Sequence, residues 1–128
     1  MELFGTAGIR GPVGGLLTPE LAVRVGRAAG RDGDAFAVGH DGRVTSPALA
    51  DALVAGLASA GVDVVRVGAV PTPALAYASR GRRGVMVTAS HNPPSDNGIK
   101  LFVDGQEYGD SAEARIEERV DAETGPAE

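Results

Sequence analysis

Two stretches of the chain combine a helical repeat of apolar residues with the signals that begin a helix. Residues 18–30 begin with Thr18, a candidate N-cap, and with Pro19 at the first helical position. In residues 46–60 a serine and a proline repeat this arrangement, and a glycine follows the last apolar residue. The pattern therefore predicts two amphipathic helices.

Short continuous apolar runs between and after these helices predict β-strands. The runs occupy residues 35–39, 62–67, 84–88 and 99–103. A short helix is predicted over residues 74–80, and a charged helix with few apolar positions over residues 111–121. Strands that alternate with helices are typical of βαβ units. We therefore predict an α/β fold, a three-layer α/β/α sandwich around a mixed and mostly parallel sheet.

The composition argues against several kinds of binding partner and site. The formal net charge is −5 and Lys100 is the single lysine, so no basic stripe is available to neutralise nucleic-acid or membrane phosphates. The absence of cysteine excludes a disulfide framework and a thiolate metal site. No apolar run approaches the roughly 18 residues of a transmembrane helix, and residues 1–10 lack a signal-peptide pattern. We expect a cytoplasmic protein that binds neither nucleic acid nor membranes.

The segment with the most chemistry is Thr-Ala-Ser-His-Asn-Pro at residues 88–93, at the end of a predicted strand. Ligands of α/β sheets bind at the carboxyl ends of strands, so this position places the hydroxyl of Ser90 at the rim of the sheet. Pro93 disfavours helical backbone at Asn92 and stiffens the turn. If the chain is extended here, the side chain of His91 faces away from Ser90 and is a poor base for it.

A second polar motif, Asn-Gly-Ile-Lys at residues 97–100, begins the next strand. We expect its glycine to permit a sharp turn that brings Lys100 back towards Ser90. A hydroxyl, an imidazole, two amides and a lysine would then share one loop.

These two motifs together resemble the active-site serine loop of the α-D-phosphohexomutases, the family of phosphoglucomutase and phosphomannomutase. Residues 4–11 (Phe-Gly-Thr-Ala-Gly-Ile-Arg-Gly) resemble the opening motif of the same family, and residues 39–43 (Gly-His-Asp-Gly-Arg) its second-strand motif. Many members have arginine at the position of His40. The motifs follow the family order and cover residues 3–105, so the resemblance implies the N-terminal domain I of such an enzyme.

The resemblance implies an intramolecular phosphotransferase, an isomerase that interconverts hexose 1-phosphate and 6-phosphate. Ser90 would hold a phosphate, donate it to the hexose phosphate, and take the other phosphate back from the bisphosphate intermediate. A phosphoserine carries about −1.5 to −2 charges and three acceptor oxygens. By the same match Arg10 would face the phosphoserine, and Lys100 would be the general acid or base. The residues implied to shape the phosphate loop are His91, Asn92, Thr88 and Asn97.

Family members bind Mg²⁺ between the phosphoserine and an aspartate-rich loop of the second domain. This chain would contribute Ser90, through its phosphate, and the remaining ligands are absent from it. Asp32 and Asp34 lie between a helix and a strand and are interpreted as a turn. We expect residues 1–120 to be domain I, and residues 121–128 to be a terminal tail or interdomain linker. The expected partners are the hexose phosphate and the remaining mutase domains, without which the chain would be inactive.

Several alternatives stay open. Phosphoglucosamine mutases share these motifs, and the loop that selects the sugar is absent, although we favour a glucose or mannose phosphate. A serine hydrolase using Ser90, Asp41 and either His40 or His91 fits poorly, because no Gly-x-Ser-x-Gly elbow is present. A stand-alone, non-catalytic phosphate-binding module is the third class. Asp41 and Arg43 are interpreted as a local structural pair.

Overall fold

The computed structural model describes residues 2–5 and 8–123, which form a three-layer α/β/α sandwich around a mixed sheet. Its strands are β1 (Phe4–Gly5), β2 (Gly8–Pro12), β3 (Ala35–His40), β4 (Asp63–Ala69), β5 (Arg83–Val87), β6 (Asp96–Val103) and β7 (Gln106–Glu107). Its helices are α1 (Pro19–Ala29), α2 (Ser46–Ser59), α3 (Thr72–Ala78) and α4 (Asp110–Glu123), with a 3₁₀ turn at Gly30–Asp32. Across this part of the chain, none of the helices is both long and apolar enough to span a membrane.

The two long central helices begin close to the predicted positions, but their first turns differ. Thr18 caps α1, since its hydroxyl accepts a hydrogen bond from the amide of Leu21 at 3.0 Å. Ser46 does not cap α2; it is the first helical residue, and its hydroxyl donates to a carboxylate oxygen of Asp41 at 2.5 Å. Ser46, part of the sequence signal that predicts this helix, thus also connects the helix to the loop after β3.

The order of strands across the sheet is β1-β2-β6-β5-β3-β4, with β7 paired to β6. β3 runs parallel to both β4 and β5, whereas β1, β2, β6 and β7 join through antiparallel pairs. The three-layer mixed sheet is confirmed, but the mostly parallel character holds only for β3, β4 and β5. The physical reason is that short loops, rather than crossover helices, join β5 to β6 and β6 to β7.

Alternate residues of the central strands supply two separate cores. On one face Phe36, Val85 and Ile99 pack with α1, α2 and α4. On the other face Ala37, Met86 and Phe102 pack against Leu75 of α3. Because α3 is short and lies over β3 and β5, no helix of the described chain covers β2 on that face.

One buried carboxylate makes several of the contacts between helix α4 and the body of the domain. Asp32, whose side chain is only 3% exposed, accepts hydrogen bonds from Arg115 at 2.9 Å, Arg119 at 2.7 Å and the hydroxyl of Tyr108 at 2.7 Å. Burial by itself raises the pKa of Asp32, but these hydrogen bonds outweigh it and the net pKa is lowered. Burial and the neighbouring carboxylate raise the pKa of Tyr108 to about 12.

Element ends differ modestly from the sequence-based expectations. The short helix α3 spans residues 72–78 rather than 74–80, and α4 continues to Glu123 rather than ending at residue 121. The expected tail at residues 121–128 therefore begins within this helix, and residues 124–128 lie outside the described part of the chain. Thr6 and Ala7 of the opening motif also lie outside it.

Candidate active site

Ser90 lies in the loop that joins the buried end of β5 to β6. Its side chain is exposed, and its backbone has a φ of 45°, in the left-handed region that is unusual for a non-glycine residue. The amide of Ser90 donates to the hydroxyl of Thr88 at 3.1 Å. The chain is therefore turned at this point, and the extended backbone assumed for the His91 argument is not present. His91 is also exposed, and its ring makes no hydrogen bond to another described residue.

Arg10 reaches the serine loop from the neighbouring strand. Strand β2 pairs with β6, with Arg10 opposite Gly98. The guanidinium group of Arg10 donates to the carbonyl of Ala89 at 2.9 Å and to the side-chain oxygen of Asn92 at 3.1 Å. The cation thus contacts the residue before Ser90 and a residue just after it. The amide nitrogen of Asn92 in turn donates to the carboxylate of Asp96 at 3.1 Å.

A surface hollow opens beside this arginine. Its volume is about 480 Å³, and its lining residues are Glu2, Leu3, Phe4, Gly5, Gly8, Arg10 and Asn92. The hollow is formed where the opening strands meet the serine loop. Ser90 itself is not among the lining residues, so the hollow lies next to the serine rather than around it.

The Asn-Gly-Ile-Lys motif forms part of β6 and not a sharp turn before it. Gly98 is required for another reason: a Cβ atom there would lie 2.5 Å from the carbonyl oxygen of Ile9 and 2.6 Å from that of Thr88. Lys100 is half-buried and lies two residues further along the same strand face. Since Gly98 is opposite Arg10, the side chains of Lys100 and Arg10 are diagonal neighbours on one face of the sheet.

Thr88 and Asn97 are buried beneath the loop, where their side chains make hydrogen bonds within the protein. Asn97 donates to the hydroxyls of Thr45 and Ser46, each at 2.9 Å, and its side-chain oxygen accepts from the amide of Gly98. These two residues therefore connect β5, β6 and the start of α2. Their side chains are hydrogen-bonded within the protein rather than directed to the surface.

Asp41, at the end of β3, is the hub of these contacts. It accepts from the hydroxyl of Ser46, from the amide of Arg43 at 3.0 Å, and from the guanidinium Nε of Arg43 at 3.2 Å. Burial alone raises the pKa of Asp41, but the hydrogen bonds from Ser46, Arg43 and Thr88 lower it below the ordinary value. The expected pair between Asp41 and Arg43 is present. Asp41 also bonds to Ser46, a contact that the sequence does not indicate.

Arg43 is the residue that sequence reasoning missed as part of this site. Its guanidinium group reaches four backbone carbonyls of the serine loop, those of Ser90, Asn92, Pro93 and Asp96. The available signal was its position in the Gly-His-Asp-Gly-Arg motif at the carboxyl end of β3, which is parallel to β5. Parallel neighbours end at the same edge of a sheet, so the two loops meet there.

The hydrolase alternative finds no support in this geometry. The carboxylate of Asp41 is occupied by Arg43, Ser46 and Thr88. The ring of His40 makes its hydrogen bond with the backbone oxygen of Asp41, at 2.8 Å. No histidine among the described residues hydrogen-bonds to Ser90, so a serine–histidine–aspartate relay is not formed.

Metal ligands are not clustered in this part of the protein. Over residues 2–5 and 8–123, no group of three or more histidine or acidic side chains could hold a metal ion. The two carboxylates that hydrogen-bond around the serine loop, Asp41 and Asp96, are engaged by Arg43 and Asn92.

Comparison with known proteins adds an independent line of evidence. The family model described as phosphoglucomutase/phosphomannomutase, alpha/beta/alpha domain I, matches residues 1–126. A phosphopentomutase of Thermococcus kodakarensis is 50% identical over 125 residues, which are 94% of this chain and 28% of that protein. A phosphoglucosamine mutase of Methylobacterium radiotolerans is 49% identical over 132 residues, covering 95% of this chain and 30% of that protein.

Solved structures show the same similarity in three dimensions. A phosphoglucomutase/phosphomannomutase family protein from Burkholderia thailandensis superposes with a TM-score of 0.87 at 37% identity. The match covers 95% of this chain and 30% of that one. The chain thus spans less than a third of the length of these relatives.

Proposed function

The chain belongs to the phosphoglucomutase/phosphomannomutase family as its α/β/α domain I, and on that premise we propose that Ser90 carries the phosphoryl group of a mutase acting on hexose phosphates. The observation that carries this proposal is the placement of Ser90. It is exposed on a turn at the carboxyl end of β5, and Arg10 is hydrogen-bonded to Ala89, the residue before it, and to Asn92, two residues after it. A serine so placed can accept and return a phosphoryl group while a cation stands beside it.

The proposed transfer begins with Ser90 phosphorylated. In the first step a sugar hydroxyl attacks the phosphorus and gives its proton to the amine of Lys100, the bond between phosphorus and the serine Oγ breaks, and the released serine oxygen takes a proton from solvent. In the second step the serine Oγ attacks the other phosphate of the bisphosphate and gives its proton to solvent, the bond between that phosphorus and the sugar oxygen breaks, and the sugar oxygen takes the proton back from Lys100. General acid–base assistance of this kind contributes roughly 10²–10⁴-fold. Arg10 would offset the negative charge that repels the attacking oxygen.

A magnesium ion fits this site only in part. Phosphorylated Ser90 could supply one ligand, but the neighbouring carboxylates of Asp41 and Asp96 are already hydrogen-bonded to Arg43 and Asn92. We propose that further acidic ligands come from a region beyond residues 1–128, as expected for a chain that spans less than a third of its relatives. Bound there, Mg²⁺ would neutralise phosphate charge.

The remaining partners follow from the same premise. We propose that the chain works together with further mutase domains, that its substrate is a hexose phosphate, and that by itself it does not turn over this substrate. We also propose a cytoplasmic location, which suits an enzyme of phosphorylated sugars; the 128 residues of this chain contain no cysteine. Glucose or mannose phosphate is the proposed substrate. Glucosamine phosphate is the second candidate, because relatives named phosphoglucosamine mutase match 95% of the chain.

The test joins this chain to the rest of a relative. The complete chain replaces the matching segment of the Methylobacterium radiotolerans protein, and the hybrid is incubated with glucose 1,6-bisphosphate. We expect a mass increase of one phosphoryl group on Ser90, none in Ser90→Ala, and an unchanged increase in Ser95→Ala, an exposed serine of the same loop. A hybrid that stays unlabelled while the intact relative is labelled would refute the proposal. Turnover of glucosamine 1-phosphate by the labelled hybrid then tests whether the phosphoryl group on Ser90 is passed to a sugar; the sugar preference of the hybrid belongs to the relative, which supplies the sugar-selecting loop.

A further inference from the structure

Arg43 binds the serine loop through four backbone carbonyl groups. Arg43 donates from one terminal nitrogen to the carbonyls of Pro93 at 2.7 Å and Asp96 at 3.2 Å. From the other terminal nitrogen it donates to the carbonyls of Ser90 and Asn92, each at 2.9 Å. These four carbonyls span the loop from the serine to the first residue of β6. One planar guanidinium group therefore forms hydrogen bonds along the whole loop.

The hydrogen-bonding capacity of this arginine is fully used within the protein. A guanidinium group has five N–H donors, and the fifth, on Nε, is directed to Asp41 at 3.2 Å. The side chain is only 15% exposed. Arg43 therefore acts on the loop and has no donor left for a ligand, in contrast to a residue that would bind the phosphate directly.

The contact with the carbonyl of Ser90 bears on the backbone of that residue. A φ of 45° is strained for serine, and such conformations persist only where the surroundings over-determine them. Two bonds bracket Ser90: its amide donates to Thr88 and its carbonyl accepts from Arg43. Its orientation is thus defined from both sides.

Asp41 anchors the arginine through several hydrogen bonds. Asp41 binds both the backbone amide and the Nε of Arg43, and the same carboxylate accepts from Ser46 in the first turn of α2. The low pKa of Asp41 keeps this carboxylate charged at neutral pH. The loop is in this way connected to the end of β3 and to a helix of the core.

We propose that Arg43 is a positioning residue for phosphoryl transfer: by binding four carbonyls of the serine loop it holds Ser90 in the left-handed conformation from which its oxygen attacks and leaves. This inference rests on the proposed function of Ser90. It deepens that function, because it assigns to the Gly-His-Asp-Gly-Arg motif the task of orienting the serine. Because its five donors are used within the protein, Arg43 would contact neither the phosphate nor the sugar.

The test uses the hybrid enzyme described above with Arg43→Lys. Lysine keeps the charge but has one nitrogen with three donors, which cannot serve four carbonyls and Asp41 together. We expect kcat for glucosamine 1-phosphate, the substrate that the relative's name gives, to fall about 100-fold, the scale of a misplaced reacting group, with KM changed less than about threefold. Arg66→Lys is the matched control, since the ion pair of Arg66 with Asp51 is solvent-exposed, and it should leave both constants unchanged.

A second variant separates positioning from folding. Arg43→Ala removes the group, and added ethylguanidinium, which has the dimensions of the missing part, is expected to restore part of kcat. Equal urea midpoints for the wild type and Arg43→Lys would show that the fold persists. Retention of kcat within threefold by Arg43→Lys, or a rise in KM alone, would overturn the inference. If the wild-type hybrid is not labelled at Ser90, the proposed function fails first; a labelled wild type with a fully active variant refutes only the role of Arg43.

Discussion

Gly98→Ala tests whether the close approach of three strands supports the serine loop. Gly98 lies in β6 between two carbonyl groups, that of Ile9 on β2 and that of Thr88 after β5. An added Cβ would be 2.5 Å and 2.6 Å from these oxygens and 3.1 Å from the Cγ of Arg10. Ordinary contact begins at 3.4 Å, so the two backbone groups would have to move by roughly 0.8 Å each.

The magnitude follows from the kind of atoms involved. Overpacking of a core costs about 1–3 kcal/mol, and the upper end applies because backbone carbonyls on both sides cannot rotate away as a side chain does. Replacing glycine also reduces the entropy of the unfolded chain, which offsets about 0.4–1 kcal/mol. We therefore expect a net loss of about 2 kcal/mol in the free energy of unfolding. Typical domain stabilities of about 5–15 kcal/mol leave the variant folded.

The assay is equilibrium unfolding of the chain in urea, followed by circular dichroism. Gly109→Ala is the matched control, because a Cβ at that position would meet no atom within 4 Å and its backbone φ is not positive. The control should be as stable as the wild type or slightly more so. If Gly98→Ala unfolds at the same urea concentration as the control, the crowding argument is wrong. If the proposed role of Ser90 holds, labelling at Ser90 should also slow in the Gly98→Ala hybrid, since the displaced Thr88 accepts the amide of Ser90.

Two further predictions concern charged residues. Asp32→Asn should lower the free energy of unfolding at neutral pH by about 3 kcal/mol, because Arg115 and Arg119 lose their buried partner. Since the folded-state pKa of Asp32 is lowered, the wild type is more stable than the variant above the ordinary pKa of 3.8, and this difference should shrink as the pH falls through the folded-state pKa. A stability difference that urea titrations find constant from pH 7 to acid would contradict the assignment. Lys100→Met should reduce turnover of the hybrid by roughly 10²–10⁴-fold with an unchanged urea midpoint, and activity within threefold of the wild type would exclude Lys100 as the general acid or base.

The opening segment shows where sequence reasoning stopped. Residues 4–12 are rich in glycine and lack an alternating apolar pattern, so they predict no strand. In the structure residues 4–5 form β1 and residues 8–12 form β2, because the free edge of β6 offers a ladder of backbone groups to pair with. That pairing brings Arg10 to the serine loop.

The hydrophobic pattern of the chain by itself determined the main helices, the central strands and the exposed serine at the end of β5, because these depend on neighbours within about one turn or one strand. Only the tertiary structure decided the antiparallel insertion of β6, the close approach at Gly98 and the reach of Arg43 to a loop some 50 residues further along the chain. Such contacts depend on which strands become neighbours. Strand order is set by the joint packing of both sheet faces, and no local sequence pattern identifies the residues that it brings together.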